Sequence, residues 1–362
     1  MQAKITRIAN IVTIATLSVV ALYFAASFLI PVVLAALLAM LLVTVSDRLE
    51  KIGINRAIAA LIPVLLFVCI AVVLGFILSW QINRLAEDFL ETKTQITAKI
   101  DIIRKWISDT LGIDPDIQNS MLQEQEKKAS TWAGTLFFNI IDTVSSVIVN
   151  AILVVVYTYL LLFYRSHLKR FALHIVPKDK RQHADAIIRK SVTVSGRYLI
   201  GLFNMIAILW IMYGIGFTLL GLEGALFFAI ICGLLEIVPF FGNFVGNLIV
   251  IISVLAQGGD GRMVLGIIFV YLTVQFLQTY ILEPLVVGQQ VNINPLFTIM
   301  ALVAGELIWG IAGMALAIPV IGIVKIACDH IPSLQPWGTL LGPAHSKGNK
   351  TSLLRLFKRI SR

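Results

Sequence analysis

The sequence predicts an all-α membrane protein that crosses the bilayer several times and contains broken or re-entrant helices. Of its 362 residues, 58% are hydrophobic and 14% are charged, and the mean hydropathy is +0.91. A soluble domain has about a quarter charged residues and less than half apolar ones. The apolar stretches are continuous runs of about 20 residues, as in transmembrane helices, and not the alternating segments of a β-barrel.

Residues 1–80 are predicted to form the N-terminal transmembrane helices, from apolar segments at 8–30, 32–45 and 57–80. The basic start and first apolar run also fit a signal peptide. The run continues to about Ile30 without a polar cleavage region, which favours a retained signal-anchor helix over a cleaved one. Pro31 separates the first two segments, which predicts a helical hairpin or one broken unit.

Residues 81–144 are predicted to form an extracytoplasmic amphipathic helical region. Up to Lys128 this region has nine acids and seven basic residues, whereas cytoplasmic loops carry an excess of Lys and Arg. Apolar residues recur at helical spacing from Ile82 to Leu111, which predicts a helix with one apolar stripe. Outside the bilayer such a stripe must pack against another surface. The alternatives are packing on its own chain, contact with another subunit, or a position on the lipid surface.

Residues 145–330 are predicted to form the transport core, and residues 331–362 a basic tail. The linker at 165–197 has nine basic residues against two acids, and the tail after Pro343 has six basic residues and no acid. Both are therefore predicted to be cytoplasmic, as is the N-terminus with Lys4 and Arg7. Topology and anionic lipid explain the basic tail better than nucleic acid does.

Two apolar segments, 224–256 and 296–327, exceed 30 residues and carry glycine or proline near their centres. The first is predicted to break at PFFGNFVGN and the second at WGIAG. With both termini cytoplasmic and 263–282 as one ordinary span, these two segments must both cross an odd or both an even number of times. We interpret them as paired half-helices, and the alternative is two long tilted helices.

Three carboxylates in the core, Glu236, Glu283 and Glu306, are candidates for function. A charged side chain at the bilayer centre costs about 3 kcal/mol even on mild scales, so each must be protonated, bind a cation or face water. Each lies beside glycine or proline, and broken helices in membranes line cavities or are buried in protein. Transporters place such breaks at their central sites.

The predicted transport pathway or ion site combines these acids with neighbouring polar residues and helix breakers. Its members are Glu236, Pro239, Gly242, Asn243, Gln275, Gln278, Glu283, Pro284, Asn292, Glu306, Gly310 and Gly313. For Glu283 the alternative is a solvated acid at a helix end. For the Asn and Gln residues the alternative is a structural role in hydrogen bonds between helices.

The sequence contains no motif of an ATP-driven pump or of an intramembrane hydrolase, and we expect no enzyme activity and no cofactor. It has no GxxxxGK[ST], HExxH or GxSxG pattern. The five histidines lack metal-ligand spacing, so no metal site is predicted. Cys69, Cys232 and Cys328 lie in apolar runs without CxxC spacing and are interpreted as small buried hydrophobic residues.

Five stretches in order resemble the bacterial autoinducer-2 exporter family of inner-membrane transporters, which includes the PerM-type permeases. They are FLIPVVLAALLAMLLVTVSDRL (28–49), GRYLIGL (196–202), GLLEIVPFFGNFVG (233–246), LEPLVVGQQVNINPL (282–296) and AGELIWGIAGMALAIPV (304–320). Asn243 departs from the family pattern, where many members have proline after the glycine.

The resemblance implies a homo-oligomeric secondary transporter in the bacterial inner membrane. The first hypothesis is an ion-coupled exporter of a small polar solute, such as autoinducer-2 or a related metabolite, that passes Glu236 and Glu306. The second is a sodium/proton antiporter whose carboxylates bind the monovalent cation. The third is a membrane scaffold that transports nothing. Expected partners are the solute or cation, membrane lipid and further copies of the chain, but no nucleic acid.

Overall fold

The computed structural model describes residues 2–80, 149–238, 241–256, 260–287 and 293–343, and within these ranges the ordered elements are helical. In chain order the α-helices are α1 (Gln2–Phe24), α2 (Ala26–Lys51), α3 (Arg56–Trp80), α4 (Val149–Ile175), α5 (Arg181–Leu219), α6 (Ala225–Leu235), α7 (Phe241–Ala256), α8 (Gly261–Leu277), α9 (Pro295–His330) and α10 (Gln335–Leu341). A π-helix, Gln278–Val287, follows α8, and 3₁₀ turns occur at Lys178–Lys180 and Pro332–Leu334. The predicted all-α fold class is confirmed. The predicted amphipathic helix in 81–144 lies outside the described residues.

Six helical stretches in the described part of the chain are long and apolar enough to cross a membrane, judged by length and composition. They are Ala26–Lys51, Arg56–Trp80, Val149–Ile175, Lys178–Leu219, Gly261–Glu283 and Pro295–His330. Large apolar side chains on these helices are exposed, for example Leu66 and Phe76 on α3. Such surfaces suit a lipid environment, and the protein is a multi-pass membrane protein.

Local sequence signals explain several helix starts. Asp260 caps α8, because its Oδ1 accepts a hydrogen bond from the Met263 amide at 3.0 Å. Asn294 caps α9 in the same way, accepting from the Leu296 amide at 3.0 Å, and Pro295 occupies the first helical position. Gly224 precedes α6 with a φ of 72°, a conformation that glycine adopts without steric cost.

The chain divides into two compact units. Unit 1 comprises Met1–Ala60, Leu160–Leu202 and Val286–Arg362, and unit 2 comprises Leu61–Tyr159 and Phe203–Leu285. In unit 1, α2 buries Ala35 and Leu37, and Gly196 of α5 packs tightly on α2: a Cβ there would lie 2.7 Å from the Met40 carbonyl oxygen. In unit 2, α7 packs against both α6 and α8.

The first broken segment is a helical hairpin within unit 2. A Cβ on Gly246 of α7 would lie 3.2 Å from the Cys232 Cα of α6, whereas an unbroken helix would separate these residues by about 21 Å. The interruption runs from Glu236 and α7 starts at Phe241, so Gly242 and Gly246 lie inside a helix. The predicted break at PFFGNFVGN is therefore displaced towards Glu236, and these glycines serve close packing.

The second broken segment, α9, also turns back on itself, at the predicted WGIAG motif. Trp309 (φ −131°, ψ 15°) and Gly310 (φ 60°, ψ −144°) leave the helical conformation. A Cβ on Gly305 would lie 2.5 Å from the Gly313 carbonyl oxygen, although a straight helix would separate the two glycines by about 12 Å. Both long segments are thus paired half-helices and not long tilted helices.

One local prediction is corrected. The interruption between α1 and α2 falls at Ala25, and Pro31 lies inside α2. A proline in the early part of a helix removes one backbone donor, and here it is buried and tolerated. The basic linker at 165–197 is helical apart from the short stretch between α4 and α5 that contains the 3₁₀ turn at Lys178–Lys180.

Candidate functional site

A cluster of buried polar side chains lies in unit 2 around the turn between α6 and α7. We define the polar cluster as Tyr213, Glu236, Asn243, Asn247 and Gln278, whose exposed fractions are 1%, 7%, 4%, 4% and 1%. Their neighbours in the helices are mostly apolar. Buried polar groups are costly unless they are hydrogen-bonded, so a cluster of this size in a membrane protein is a candidate functional site.

Asn243 on α7 is the centre of the polar cluster. The Tyr213 hydroxyl of α5 donates a hydrogen bond to Asn243 Oδ1 at 2.9 Å. Asn243 Nδ2 donates to the Oε1 atom of Gln275 on α8, and lies 3.4 Å from the Oε1 atom of Gln278. One amide therefore connects three helices of unit 2.

Glu236 is linked to this centre through Gln278. Gln278 Nε2 donates to Glu236 Oε1 at 2.5 Å, while Gln278 Oε1 faces Asn243. Gln278 is the first residue of the π-helix, and such bulges occur frequently at functional sites. Since Gln275 and Gln278 are three residues apart, they lie on the same helix face and both reach α7.

Asn247 completes the polar cluster one helical turn after Asn243. Its Nδ2 donates to the Asn243 carbonyl oxygen at 2.9 Å and lies 3.4 Å from the Tyr213 hydroxyl. Asn247 Oδ1 is buried and has no hydrogen-bond partner in the described part of the chain. The cluster thus offers an amide oxygen and a carboxylate as acceptors.

The electrostatic balance at Glu236 is unusual. Among the described residues, the ion pairs involve other acids, namely Asp47, Glu50, Asp185 and Asp329, and no Lys, Arg or His lies within ion-pair distance of Glu236. A buried carboxylate without a basic partner requires a proton, a cation or water to balance its charge.

The structure brings together four of the residues predicted from sequence. Glu236, Asn243, Gln275 and Gln278 are joined by hydrogen bonds, with Gly242 at the start of α7. Pro239 and Asn292 lie outside the described residues. Gly310 lies at the turn of α9, and Gly313 packs closely against Gly305 across that turn. Both glycines belong to unit 1.

Two predicted carboxylates differ from Glu236. Glu283 is exposed, and the π-helix continues through it and Pro284 to Val287. Glu306 is exposed on α9, in unit 1. The indole Nε1 of the nearby Trp309 donates to the Leu22 carbonyl oxygen at 2.9 Å, which fixes the hairpin turn to α1.

Tyr213 and Asn247 were not among the predicted site residues. Asn247 had a detectable signal, because it follows Asn243 by four residues and therefore lies on the same helix face. Tyr213 had none, since a tyrosine in an apolar helix is also typical of an interface anchor and its partners are about 30 residues away in sequence.

We expect Tyr213→Phe to loosen the polar cluster while preserving its shape. The substitution removes the hydrogen bond to Asn243 Oδ1 and leaves that buried oxygen with one long contact, to Asn247 Nδ2 at 3.5 Å, at a cost of about 1 kcal/mol. Thermal unfolding of the purified protein in detergent measures this cost. Tyr271→Phe on α8, which is half-buried, serves as control and should leave the unfolding midpoint unchanged. Equal midpoints for wild type and Tyr213→Phe would contradict the role of the hydroxyl.

Comparison with known proteins shows similarity to one family of membrane transporters. The AI-2E family transporter model matches residues 12–333. YueF of Bacillus subtilis is 26% identical over 315 residues, which cover 83% of this chain and 84% of YueF. YhhT of Escherichia coli K12 is 24% identical over 334 residues, 90% of this chain and 91% of YhhT.

YrrI of Bacillus subtilis is similar over a shorter region. It is 29% identical over 163 residues, and the match covers 45% of this chain and 46% of YrrI. The names of all three relatives describe them as transport proteins.

Proposed function

Because the chain belongs to the AI-2E transporter family and is a membrane transporter, we propose that it is an ion-coupled secondary transporter that exports a small polar solute. The solute is autoinducer-2 or a related metabolite, as the resemblance of the five sequence motifs implies. The protein would act in the bacterial inner membrane as a homo-oligomer, with both termini in the cytoplasm.

The observation that carries this proposal is the buried Glu236 carboxylate at the interruption of a helical hairpin, hydrogen-bonded to Gln278 and without a basic partner in the described chain. A structural acid would be balanced by Lys or Arg, or solvated at a helix end. An acid that is bound only through a neutral amide can exchange a proton or a monovalent cation. Intramembrane acids in such positions mark ion and substrate pathways.

We assign distinct roles to the residues of the site. Glu236 binds the coupling ion, and Asn243, Gln275 and Gln278 provide hydrogen-bond donors and acceptors that replace the water of a polar cargo. Glu306, on the hairpin of α9, provides the second carboxylate of the pathway. An exposed carboxylate facing lipid would cost about 3 kcal/mol, so its exposed side is proposed to face water along the route.

The sodium/proton antiporter is the second candidate, and the oxygen-rich surroundings of Glu236 favour it. The Asn247 Oδ1 atom has no partner in the described residues, and amide and carboxylate oxygens are suitable ligands for a monovalent cation. In this case the cation is itself the cargo, and the residues assigned above to the coupling ion and the solute bind the cation instead.

Proteoliposomes containing the purified protein distinguish these functions. Under the exporter, a solute loaded inside should leave the vesicles faster when a proton or sodium gradient is imposed, and empty vesicles should show no such flux. Under the antiporter, an external sodium pulse alone should change the signal of an internal pH-sensitive dye. If correctly folded protein gave neither solute flux nor proton movement, the transporter proposal would fail in favour of a scaffold.

A further inference from the structure

The short helix α10 lies at the open end of the α9 hairpin in unit 1. The carbonyl oxygen of its last residue, Leu341, accepts a hydrogen bond at 2.8 Å from the amide of Asn294, which directly precedes α9. Gly338 packs on the last turn of α9, because a Cβ there would overlap Asp329 Oδ1. Helix α10 therefore joins the start of the first arm of the hairpin to the end of the second.

One face of α10 is apolar and exposed. Trp337 and Leu340 are three residues apart, so they lie on the same side of the helix, and they are 60% and 50% exposed. The α9 hairpin is apolar enough to lie within a membrane, which places its open end at the membrane–water interface. Tryptophan side chains are enriched at that interface. The exposed face of α10 is therefore suited to contact with a bilayer surface.

The chain that follows α10 carries positive charge that no neighbouring acid neutralises. Residues 344–362 lie outside the described residues, and their sequence contains six Lys and Arg residues and no Asp or Glu. The nearest acid before them, Asp329, is already paired with Lys325 at 2.6 Å. Basic segments next to a membrane helix are attracted to anionic lipids, and each Lys or Arg contributes to the attraction.

The sequence of residues 353–362, LLRLFKRISR, also separates apolar from basic side chains. At helical spacing one side carries Leu353, Leu354, Leu356, Phe357 and Ile360. The opposite side carries Arg355, Lys358, Arg359 and Arg362. A cytoplasmic location accounts for basic residues but not for this separation. The separation is typical of segments that lie on a membrane surface.

We propose that the exposed face of α10 and the segment 353–362 form one surface that binds a bilayer containing anionic phospholipid. The apolar side chains enter the bilayer, and the Lys and Arg side chains bind the phosphates of the headgroups. Since α10 joins the two arms of the α9 hairpin, this surface fastens the open end of the hairpin to the membrane. The proposal does not depend on the proposed transport function.

Trypsin cleavage of the full chain in lipid nanodiscs tests this proposal. The discs contain phosphatidylcholine alone or with phosphatidylglycerol, and mass spectrometry quantifies cleavage at Arg355 and Lys358 relative to a soluble reference peptide. Phosphatidylglycerol should slow this cleavage at least about fivefold, the effect of one basic residue near an anionic lipid. The difference between the two discs should disappear in about 1 M salt, where charges are screened within about 3 Å.

Two variants remove apolar side chains and keep every trypsin site and every charge. Phe357→Ser acts on the segment 353–362 and Trp337→Ser on α10, and both should lose most of the protection by phosphatidylglycerol. Ser352→Ala is the matched control, because Ser352 shares the basic side with Arg355 and Arg359 at helical spacing. It should be protected like wild type.

Equal cleavage of wild type in the two discs would overturn the proposal and leave the basic tail available to an acidic protein partner. Protection in phosphatidylcholine alone that persists at high salt would overturn it in favour of packing on the chain itself. Full protection of Phe357→Ser would indicate a diffuse attraction of charge, and full protection of Trp337→Ser would exclude α10 from the surface. Either result would contradict the proposal. Should Trp337→Ser fail to give a monodisperse chromatographic peak, Phe357→Ser decides.

Discussion

Replacing Glu236 with Gln is expected to abolish ion-coupled transport while leaving the protein folded. The substitution keeps the shape of the side chain and an acceptor oxygen for Gln278, whose Nε2 now donates to Glu236 Oε1 at 2.5 Å. It removes the ability to bind a proton or a cation. Because an amide cannot take up and release a proton, the gradient-driven flux should fall to the level of protein-free vesicles.

The measurement is gradient-driven flux in proteoliposomes, with the amount of reconstituted protein determined for each variant. Glu223→Gln is the matched control, since Glu223 precedes α6 in the same unit, is exposed, and lies outside the polar cluster. It should transport like wild type. The outcome separates the three hypotheses: an antiporter loses proton movement, an exporter changes its cargo flux or driving force, and a scaffold is unaffected. Wild-type flux in Glu236→Gln would remove Glu236 from the pathway.

Glu306→Gln should act differently from Glu236→Gln, because Glu306 is exposed and lies outside the polar cluster. If Glu306 only lines a water-filled part of the route, its substitution lowers the apparent affinity for the cargo and keeps the coupling to the ion. The two variants then divide the functions of the pathway between the two hairpins.

The sequence predicted the broken helices correctly because glycine and proline act locally. Gly310 adopts a φ of 60°, and its position in WGIAG marks the turn of α9. The prediction of a break at Pro31 was wrong, because the cost of a proline depends on its place in the helix. Pro31 lies in the early part of α2, and the helix continues through it without an interruption.

The candidate site was predicted only as far as local spacing reaches. Gln275 and Gln278 were paired by their helical spacing, and Glu236 was conspicuous as an acid in an apolar run. The contact of Tyr213 with Asn243 depends on the packing of α5 against the α6–α7 hairpin, which a single sequence does not encode in any short pattern. The π-helix that begins at Gln278 was not predicted either, since no residue pattern in QTYILEPLVV distinguishes it from an α-helix.

Substituting Gly242 with Ala is expected to cause the largest loss of stability among single-methyl changes in unit 2. A Cβ at Gly242 would overlap the Leu235 carbonyl oxygen, which is backbone at the end of α6 and cannot rotate away. The hairpin must then open, at a cost of about 3 kcal/mol. The unfolding midpoint of the detergent-purified protein, followed by the loss of its monodisperse chromatographic peak, measures this cost.

Gly75→Ala provides the comparison, because Gly75 lies within α3 of the same unit and a Cβ there would meet nothing within 4 Å. Alanine stabilises an exposed helix position relative to glycine, so this variant should be equal to wild type or slightly more stable. The same hairpin geometry holds Glu236 against Gln278, so Gly242→Ala should also reduce transport at temperatures where the protein remains folded. A variant that unfolds like Gly75→Ala would show that α6 and α7 are not packed as closely as the hairpin requires.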